Sequence, residues 1–236
     1  MNELLMTAKE NLLFLLTCLA IFFGLTALAW FAQRCLAGSK KKLSSARWVS
    51  FIAMFGTIAA VLMYIEFPLP FAPPFYQIDL SEIPVLICTF YLGPVSGIVC
   101  EFVKVLLKLL LKGTSTAFVG DFANFAVGCS MILPASIVYH CKKSKRTAIL
   151  GLITGTLIMT VFGSLFNAVY LLPKFAQLYG LPLDALVGMG TAVNAGITNV
   201  FTLVLFAVVP FNLIKGMVVS VATLLLYKRV ERLLNM

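Results

Sequence analysis

The sequence predicts an all-α protein embedded in a membrane, and three observations support this prediction. The 236 residues are 61% hydrophobic and have a mean hydropathy of +1.02, which leaves too little polarity to cover a water-soluble surface. Several apolar runs approach the roughly 20 residues that a helix needs to cross a bilayer. Most basic residues, which give a net charge of +9, lie at the ends of those runs. We therefore expect one integral membrane domain.

The first apolar run, 11–32, predicts a transmembrane helix that stands apart from the rest. A cleaved signal peptide is the alternative. However, the run exceeds the roughly 7–15 residues of such signals, and its basic cluster follows rather than precedes it. We favour an uncleaved helix with its N-terminus outside. A polar linker, 38–45, follows it, so we divide the chain into 1–46, the additional helix with its linker, and 47–236, the main membrane domain.

From Trp48 onward, hydropathy predicts six further elements. They cover about 47–65, 81–92, 94–112, 117–140, 146–171 and 191–231. Three clusters of basic residues abut the ends of apolar runs, at 34–47, 142–146 and 228–232. The positive-inside tendency assigns such flanks to the cytoplasm. This assignment directs the element that begins near Trp48 outward and places the end of the chain inside.

The last region, 191–231, poses a problem of direction. Its length of about forty residues would allow two crossings, yet two crossings would leave its basic end outside. Pro210 interrupts it, and proline disrupts a helix interior. We therefore expect 191–209 to bend or re-enter on the outer side and 211–231 to cross once. Irregular backbone at that depth requires shelter from protein or a cavity.

The connector 67–84 is rich in proline and still apolar. Five prolines in eighteen residues exclude a continuous helix, and the phenylalanines and other apolar residues between them keep the segment hydrophobic. In a membrane protein, a kinked and apolar connector predicts a wall or lid over a binding cavity. We expect Phe67, Leu69 and Tyr76 to contact the ligand there.

Polar side chains of three elements are predicted at one level, below this connector. Asn124 lies about 10 Å from the outer end of its helix, and Asn167 and Tyr170 lie at the outer end of the element 146–171. Asn212 and Lys215 follow Pro210 and share a helical face. Any one asparagine could instead bond another helix, but their convergence favours a site. Amides offer both donors and an acceptor. With aromatic walls they suit a neutral, flat ligand that carries an imide-like edge or several hydroxyls.

Charged residues also occur within a predicted span. Glu101 and Lys104 are three residues apart on one helix, and an ion pair between them would lower the cost of burying both. Lys104, Lys108 and Lys112 repeat every four residues along one face. Of these, Lys112 is placed to reach the outer surface.

Several function classes lack support in the sequence. The basic residues form no stripe with polar and aromatic residues, as a nucleic-acid-binding surface would. The six cysteines have no Cys-x-x-Cys spacing, so neither a zinc site nor a disulfide framework is indicated. No phosphate loop or nucleophile elbow occurs, and the single histidine is His140. We expect no catalytic residues, no metal and no cofactor.

Six stretches together resemble the riboflavin-specific substrate-binding subunits of energy-coupling-factor vitamin transporters. They read EFPLPF at 66–71, IDLSEIP at 78–84, LGP at 92–94, GTSTA at 113–117, GDFANF at 120–125 and VPFNLIKG at 209–216. The resemblance covers about 47–235 in order. It implies a six-helix core with cytoplasmic ends in a bacterial plasma membrane, and riboflavin bound from outside. By this resemblance Asn212 and Lys215 hold the vitamin.

The resemblance also implies partners, namely a transmembrane coupling subunit and a pair of ATPases. The first core helix of the family usually carries an alanine-x-x-x-alanine face for docking the coupling subunit. The nearest equivalents here are Ala53 with Thr57 and Gly56 with Ala60. Such spacings let helices approach closely, either inside one bundle or between molecules.

Three alternatives remain at this point. The chain could be a substrate-binding subunit for another vitamin. It could be a membrane-embedded lipid-modifying enzyme, which would need carboxylates or histidines clustered at the cytoplasmic face. It could be a stand-alone facilitator, which would more often show internal repeats. The riboflavin-binding subunit is the interpretation that we favour.

Overall fold

The computed structural model describes residues 12–36, 44–73, 75–114 and 116–234. Helices account for most of this part of the chain. They are α1 (Leu12–Cys35), α2 (Ser45–Leu62), α3 (Glu82–Leu92), α4 (Pro94–Lys112), α5 (Val119–Lys142), α6 (Lys145–Phe166), α7 (Leu172–Tyr179), α8 (Leu183–Thr191), α9 (Val200–Leu203) and α10 (Val209–Leu234). Two short strands, β1 (Phe67–Pro68) and β2 (Gln77–Ile78), pair between α2 and α3.

Five described helices are long and apolar enough to cross a membrane. They are Leu16–Cys35, Ser45–Leu62, Val119–Lys142, Lys145–Tyr179 and Val200–Arg232. Neither α4 nor α3 is among these five. The helix α4 has 19 residues but carries one glutamate and three lysines. The helix α3 has only 11 residues, or about 16 Å, which is too short to cross a bilayer. The prediction of an all-α membrane protein is confirmed.

The six helices α2, α3, α4, α5, α6 and α10 form one bundle, with α3 inside it. Val85, Leu86 and Phe90 of α3 are almost fully buried, because this helix packs against α2, α4, α5 and α10. Helices α5 and α6 approach closely at Gly151, where a Cβ atom would lie only 2.6 Å from the carbonyl oxygen of Ala135. Small residues therefore serve packing within the bundle here.

The basic flanks gather at one end of the bundle. At that end the Tyr139 and Tyr227 hydroxyls lie 2.6 Å apart, which joins the last turns of α5 and α10. There, too, the indole Nε1 of Trp48 donates to Ser96 Oγ over 2.8 Å, joining the first turns of α2 and α4. The segment 63–81 lies at the opposite end, so the chain directions agree with those predicted from the basic clusters.

The additional helix α1 packs on the surface formed by α4 and α5. The Phe22 ring centroid lies 4.4 Å from that of Phe102, and Ala29 is completely buried. At the basic end, Gln33 Oε1 accepts the backbone N–H of Val95 over 3.4 Å. This contact occupies one of the free donors at the start of α4. Most of the predicted linker lies outside the described residues.

Two wide π-helical turns allow long helices to continue through proline. The N–H of Leu172 donates to the carbonyl of Asn167, five residues back, directly before Pro173. Likewise, the N–H of Val209 donates to the carbonyl of Val204, five residues back, directly before Pro210. A wider turn accommodates the proline ring and its missing N–H.

The predicted start of the last crossing, at 211, is therefore wrong. The helix runs from Val200 through Pro210 to Arg232, because the turn of residues 204–208 widens before the proline. The chain reverses earlier, in α8 and the irregular segment 192–199. One described helix of this region is long and apolar enough for the single crossing that we predicted.

Candidate ligand-binding site

The segment 63–81, which we call the cap, folds over the end of the bundle opposite the basic flanks. Its prolines prevent a helix, and Phe67 pairs with Ile78, and Pro68 with Gln77, in a short antiparallel ladder. Ala72, Tyr76 and Ile78 are buried in one apolar cluster with residues of α7, α8 and α9. This packing fixes the cap above the helices.

Two adjoining cavities lie beneath the cap. The deep chamber, of about 190 Å³, is lined by Phe75, Tyr76, Gln77, Glu82, Gly120, Ala123, Asn124, Val127, Gly128, Met159, Asn167, Leu171, Phe175, Phe211, Asn212 and Lys215. The shallow chamber, of about 230 Å³, is lined by Met63, Glu66, Phe75, Gln77, Asp79, Lys108, Thr116, Gly120, Asp121, Asn124, Phe175, Tyr179 and Leu186. Since they share five lining residues, the two chambers form one site. Together they reach the lower end of the roughly 300–1,000 Å³ usual for ligand pockets.

Aromatic side chains form much of the wall of the deep chamber. The ring centroids of Phe75 and Tyr76 lie 4.6 Å apart, and those of Tyr76 and Phe211 lie 5.5 Å apart. The Tyr76 hydroxyl donates to Asn167 Oδ1 over 2.9 Å. In turn Asn167 Nδ2 donates to the carbonyl of Gly163 over 2.8 Å. The amide of Asn167 is thus occupied in holding Tyr76 of the cap.

Two other amides of the deep chamber keep free hydrogen-bonding groups. Asn212 Nδ2 and Asn124 Oδ1 are buried and have no partner among the described residues. A side chain at position 163 would crowd Asn212, since a Cβ atom on Gly163 would lie 3.1 Å from Asn212 Nδ2. Buried polar groups are normally paired. An unpaired donor and an unpaired acceptor in one chamber therefore indicate a ligand that carries the complementary groups.

Lys215 reaches from α10 to the cap. Its Nζ lies 2.9 Å from Asp79 Oδ2, while Asp79 Oδ1 accepts the backbone N–H of Ser81 over 2.9 Å and also the Ser81 hydroxyl. Burial disfavours the ionised form of Asp79, but the charges of Lys215 and Lys104 outweigh it. Together with the Ser81 bond they hold the pKa of the Asp79 carboxyl well below its usual range.

A second buried lysine, Lys104, lies next to this pair. Its Nζ donates to Glu82 Oε1 over 3.0 Å and to Ser81 Oγ over 3.2 Å, and it forms the predicted ion pair with Glu101. The side chain of Lys104 is completely buried. Ser81 therefore links the two lysine clusters.

Two further ion pairs lie in or near the shallow chamber. Lys108 pairs with Asp121, and Lys112 Nζ lies 3.7 Å from Glu66 Oε2. Lys112 is the most exposed of these, as predicted from its position near the end of α4. The polar walls of this chamber suit a hydroxylated group, and the aromatic walls of the deep chamber suit a flat ring.

The structure brings together five of the eight side chains that the sequence proposed for the ligand. Tyr76, Asn124, Asn167, Asn212 and Lys215 all line the deep chamber. The other three, Phe67, Leu69 and Tyr170, line neither chamber. Phe67 is 54% exposed because its strand turns it outward, Leu69 packs against the apolar cluster of the cap, and Tyr170 stacks on Phe166.

Sequence reasoning missed two carboxylates of the site, Glu82 of the deep chamber and Asp79 of the shallow chamber. Both lie in or next to the proline-rich connector, where no helical period places a side chain. The feature of the sequence that could have identified them is the presence of acidic residues in an otherwise apolar connector. The sequence also did not resolve Phe175 of α7, which contributes to both chambers.

The predicted docking residues lie on two adjoining strips of α2, one exposed and one buried. Ala53 and Thr57 are exposed, whereas Gly56 and Ala60 are buried. A Cβ atom at Gly56 would lie 2.7 Å from Cγ1 of Val103. Gly56 therefore packs against α4 and Ala60 is buried within the bundle, so their predicted contact with a partner is corrected to packing inside the bundle.

Comparisons with known proteins agree on one family. The family model described as "ECF transporter, substrate-specific component" matches residues 48–227. The chain is similar to "Riboflavin transporter RibU" of Staphylococcus aureus, with 38% identity over 78% of this chain and 90% of that protein. It is 33% identical to "Riboflavin transporter FmnP" of Bacillus subtilis over 76% of this chain and 90% of that protein.

A solved structure supports the same relationship. It is described as "Structure and mechanism of the S component of a bacterial ECF transporter" and superposes with a TM-score of 0.64 at 36% identity. The superposition covers 82% of this chain and all of the other. The family match begins at residue 48, so α1 lies outside it.

Proposed function

The chain belongs to the substrate-specific components of ECF transporters, and from this premise we propose that it binds riboflavin for uptake. Membership of this family makes it a multi-pass membrane transport protein rather than an enzyme. The names of its relatives suggest the vitamin. The chamber beneath the cap supplies the physical argument.

The observation that carries the proposal is the convergence of free amide groups and aromatic walls in the deep chamber. Riboflavin combines a flat, fused ring system with an imide edge and a polyhydroxyl chain. The ring fits between Tyr76, Phe175 and Phe211, where apolar contact dominates. Asn212 Nδ2 and Lys215 Nζ supply donors for ring carbonyl oxygens. The hydroxyl chain then extends into the polar shallow chamber.

We propose that the cap faces the outside of the cell. All three groups of basic flanks lie at the opposite end of the bundle, which is the arrangement that the positive-inside tendency gives for a cytoplasmic end. The vitamin therefore enters from outside, beneath the cap. By the same argument the N-terminal end of α1 lies outside and its basic end inside.

Transport requires partners, which we infer to be a transmembrane coupling subunit and two ATPase subunits. The exposed Ala53 and Thr57 give α2 a small-residue face that another helix can approach closely. This exposed face adjoins the buried side of α2 on which Gly56 packs against α4. We assign docking of the coupling subunit to the face of Ala53 and Thr57.

A titration of the purified protein with a small panel of vitamins tests the function. Riboflavin should lose its fluorescence on binding because the ring becomes stacked against aromatic side chains. Thiamine, biotin and folate, added in excess, should not displace it. Displacement by one of them would instead assign this chain to that vitamin, and unchanged fluorescence at micromolar riboflavin would refute the proposal.

A further inference from the structure

We propose that Glu82 accepts a hydrogen bond from the imide N–H of the ligand, and so selects flavins by that group. This inference rests on the proposed function, since it names the contact that a riboflavin ring would make in the deep chamber. Glu82 begins α3 directly below the cap. It lines the deep chamber together with Asn212 and Lys215.

The hydrogen-bonding state of Glu82 supplies the first argument. Its Oε1 accepts from Lys104 Nζ over 3.0 Å, whereas its Oε2 is buried and has no partner among the described residues. Glu82 as a whole is 1% exposed. A carboxylate has about four acceptor positions, and a buried one that leaves an oxygen unpaired is costly. A donor from a ligand would remove that cost.

The charge around Lys104 supplies the second argument. Its ammonium group contacts two carboxylates, those of Glu82 and Glu101, so one lysine faces two acidic groups in a buried site. Of these two glutamates, only Glu82 lines the chamber. Glu82 is therefore the one of the two that a donor in the chamber can reach.

Gly128 explains why this carboxylate is accessible from the chamber. A Cβ atom at Gly128 would lie 3.1 Å from Glu82 Oε1 and would also crowd the carboxylate of Glu101. Gly128 itself lines the deep chamber. The absence of a side chain at this position therefore leaves the Glu82 carboxylate beside the wall of the cavity rather than behind it.

The neighbouring groups identify which donor fits. An imide edge presents two carbonyl oxygens with an N–H between them, which is the order acceptor, donor, acceptor. Asn212 Nδ2 and Lys215 Nζ are donors in the same chamber, and Glu82 Oε2 is an acceptor. A set of two donors and one acceptor matches that edge. The hydroxyls of the polyhydroxyl chain of riboflavin have polar partners in the shallow chamber instead.

The test compares riboflavin with N3-methylriboflavin, which lacks the imide N–H, on the full chain and its variants. Dissociation constants come from quenching of flavin fluorescence. The unmodified protein should bind the methylated flavin at least about tenfold more weakly, as expected for loss of a hydrogen bond to a charged group. In Glu82→Ala, riboflavin should bind more weakly, and the ratio between the two flavins should fall to below about threefold.

Glu101→Ala is the matched control, because Glu101 shares the pairing with Lys104 but does not line the chamber. This variant should keep the ratio of the unmodified protein. Glu82→Gln, of nearly equal size, replaces Glu82→Ala if that variant does not fold, and it should lower the ratio at least twofold. An unmodified protein that binds both flavins equally, or a ratio that survives both Glu82 substitutions, overturns the inference while leaving riboflavin binding intact. Failure of the unmodified protein to bind riboflavin overturns the proposed function as well.

Discussion

Lys215 Nζ lies 2.9 Å from Asp79 Oδ2, although the two residues are 136 positions apart in the chain. Asp79 belongs to the cap and Lys215 to α10, so one buried ion pair joins the cover of the site to its wall. The lysine is only 7% exposed and the aspartate 3%. Because both charges have left water, each depends on the other. The position of the cap and that of the Lys215 ammonium group are therefore coupled through this pair.

The first prediction concerns this pair. Asp79→Asn leaves the Lys215 ammonium buried without its counter-charge, so the free energy of unfolding should fall by about 3–5 kcal/mol. Riboflavin affinity should fall too, because the lysine and the cap lose their fixed positions. Thermal unfolding in detergent, with and without riboflavin, measures both effects.

The control for that variant is Lys112→Met, which removes the pair between Lys112 and Glu66. This pair spans 3.7 Å, and the Lys112 side chain is 47% exposed. Exposed pairs contribute about 0–1 kcal/mol, so stability and affinity should scarcely change. Equal effects of the two substitutions would contradict a special role of the buried pair.

The second prediction is the dependence of the buried pair on pH. The pKa of Asp79 is lowered in the folded protein, so its stabilising contribution is fully present above the unfolded pKa of about 3.9. It is lost only as the pH falls below that value toward the folded pKa. The stability difference between the unmodified protein and Asp79→Asn should stay constant from about pH 8 to pH 5 and shrink below about pH 4. Unfolding curves at several pH values measure this, and a difference that shrinks between pH 8 and pH 5 would contradict it.

The third prediction separates two tyrosines that the sequence treated alike. Tyr76→Phe removes the bond to Asn167 and frees a buried amide oxygen, so riboflavin affinity should fall by about 1–2 kcal/mol. Tyr170→Phe should leave affinity unchanged, because Tyr170 stacks on Phe166 and lines neither chamber. Titration of both variants by flavin fluorescence decides the matter, and a larger loss in Tyr170→Phe would refute this placement.

Much of the fold was predictable because apolar runs and basic flanks are direct consequences of the bilayer. The sequence also located Asn124, Asn167, Asn212 and Lys215, since a polar residue inside an apolar helix needs a partner. Helical rise then placed them at one level. Periodicity thus gives depth along a helix, which was enough to group these four side chains.

What the sequence could not give is the path of the chain where no period applies. In the cap, no regular period decides which apolar residues point inward, and Phe67 is exposed while Tyr76 is buried. The continuation of the last helix through Pro210 depends on the wide turn before it. The wide turn accommodates the proline ring and its missing N–H, whereas proline in the sequence alone predicts only an interruption.

The last prediction tests docking of the coupling subunit on α2. Ala53→Trp places a large side chain on the exposed face of this helix, away from the bundle, so riboflavin affinity should stay within about twofold. Recovery of the coupling subunit and ATPases with the affinity-tagged chain should fall strongly, because close approach of helices requires small residues. Ile58→Trp, at an exposed position about 140° around the axis of α2 from Ala53, is the control and should keep recovery near normal. Normal recovery with Ala53→Trp would remove this face from the interface. Loss of riboflavin binding would show that Ala53 serves the fold instead.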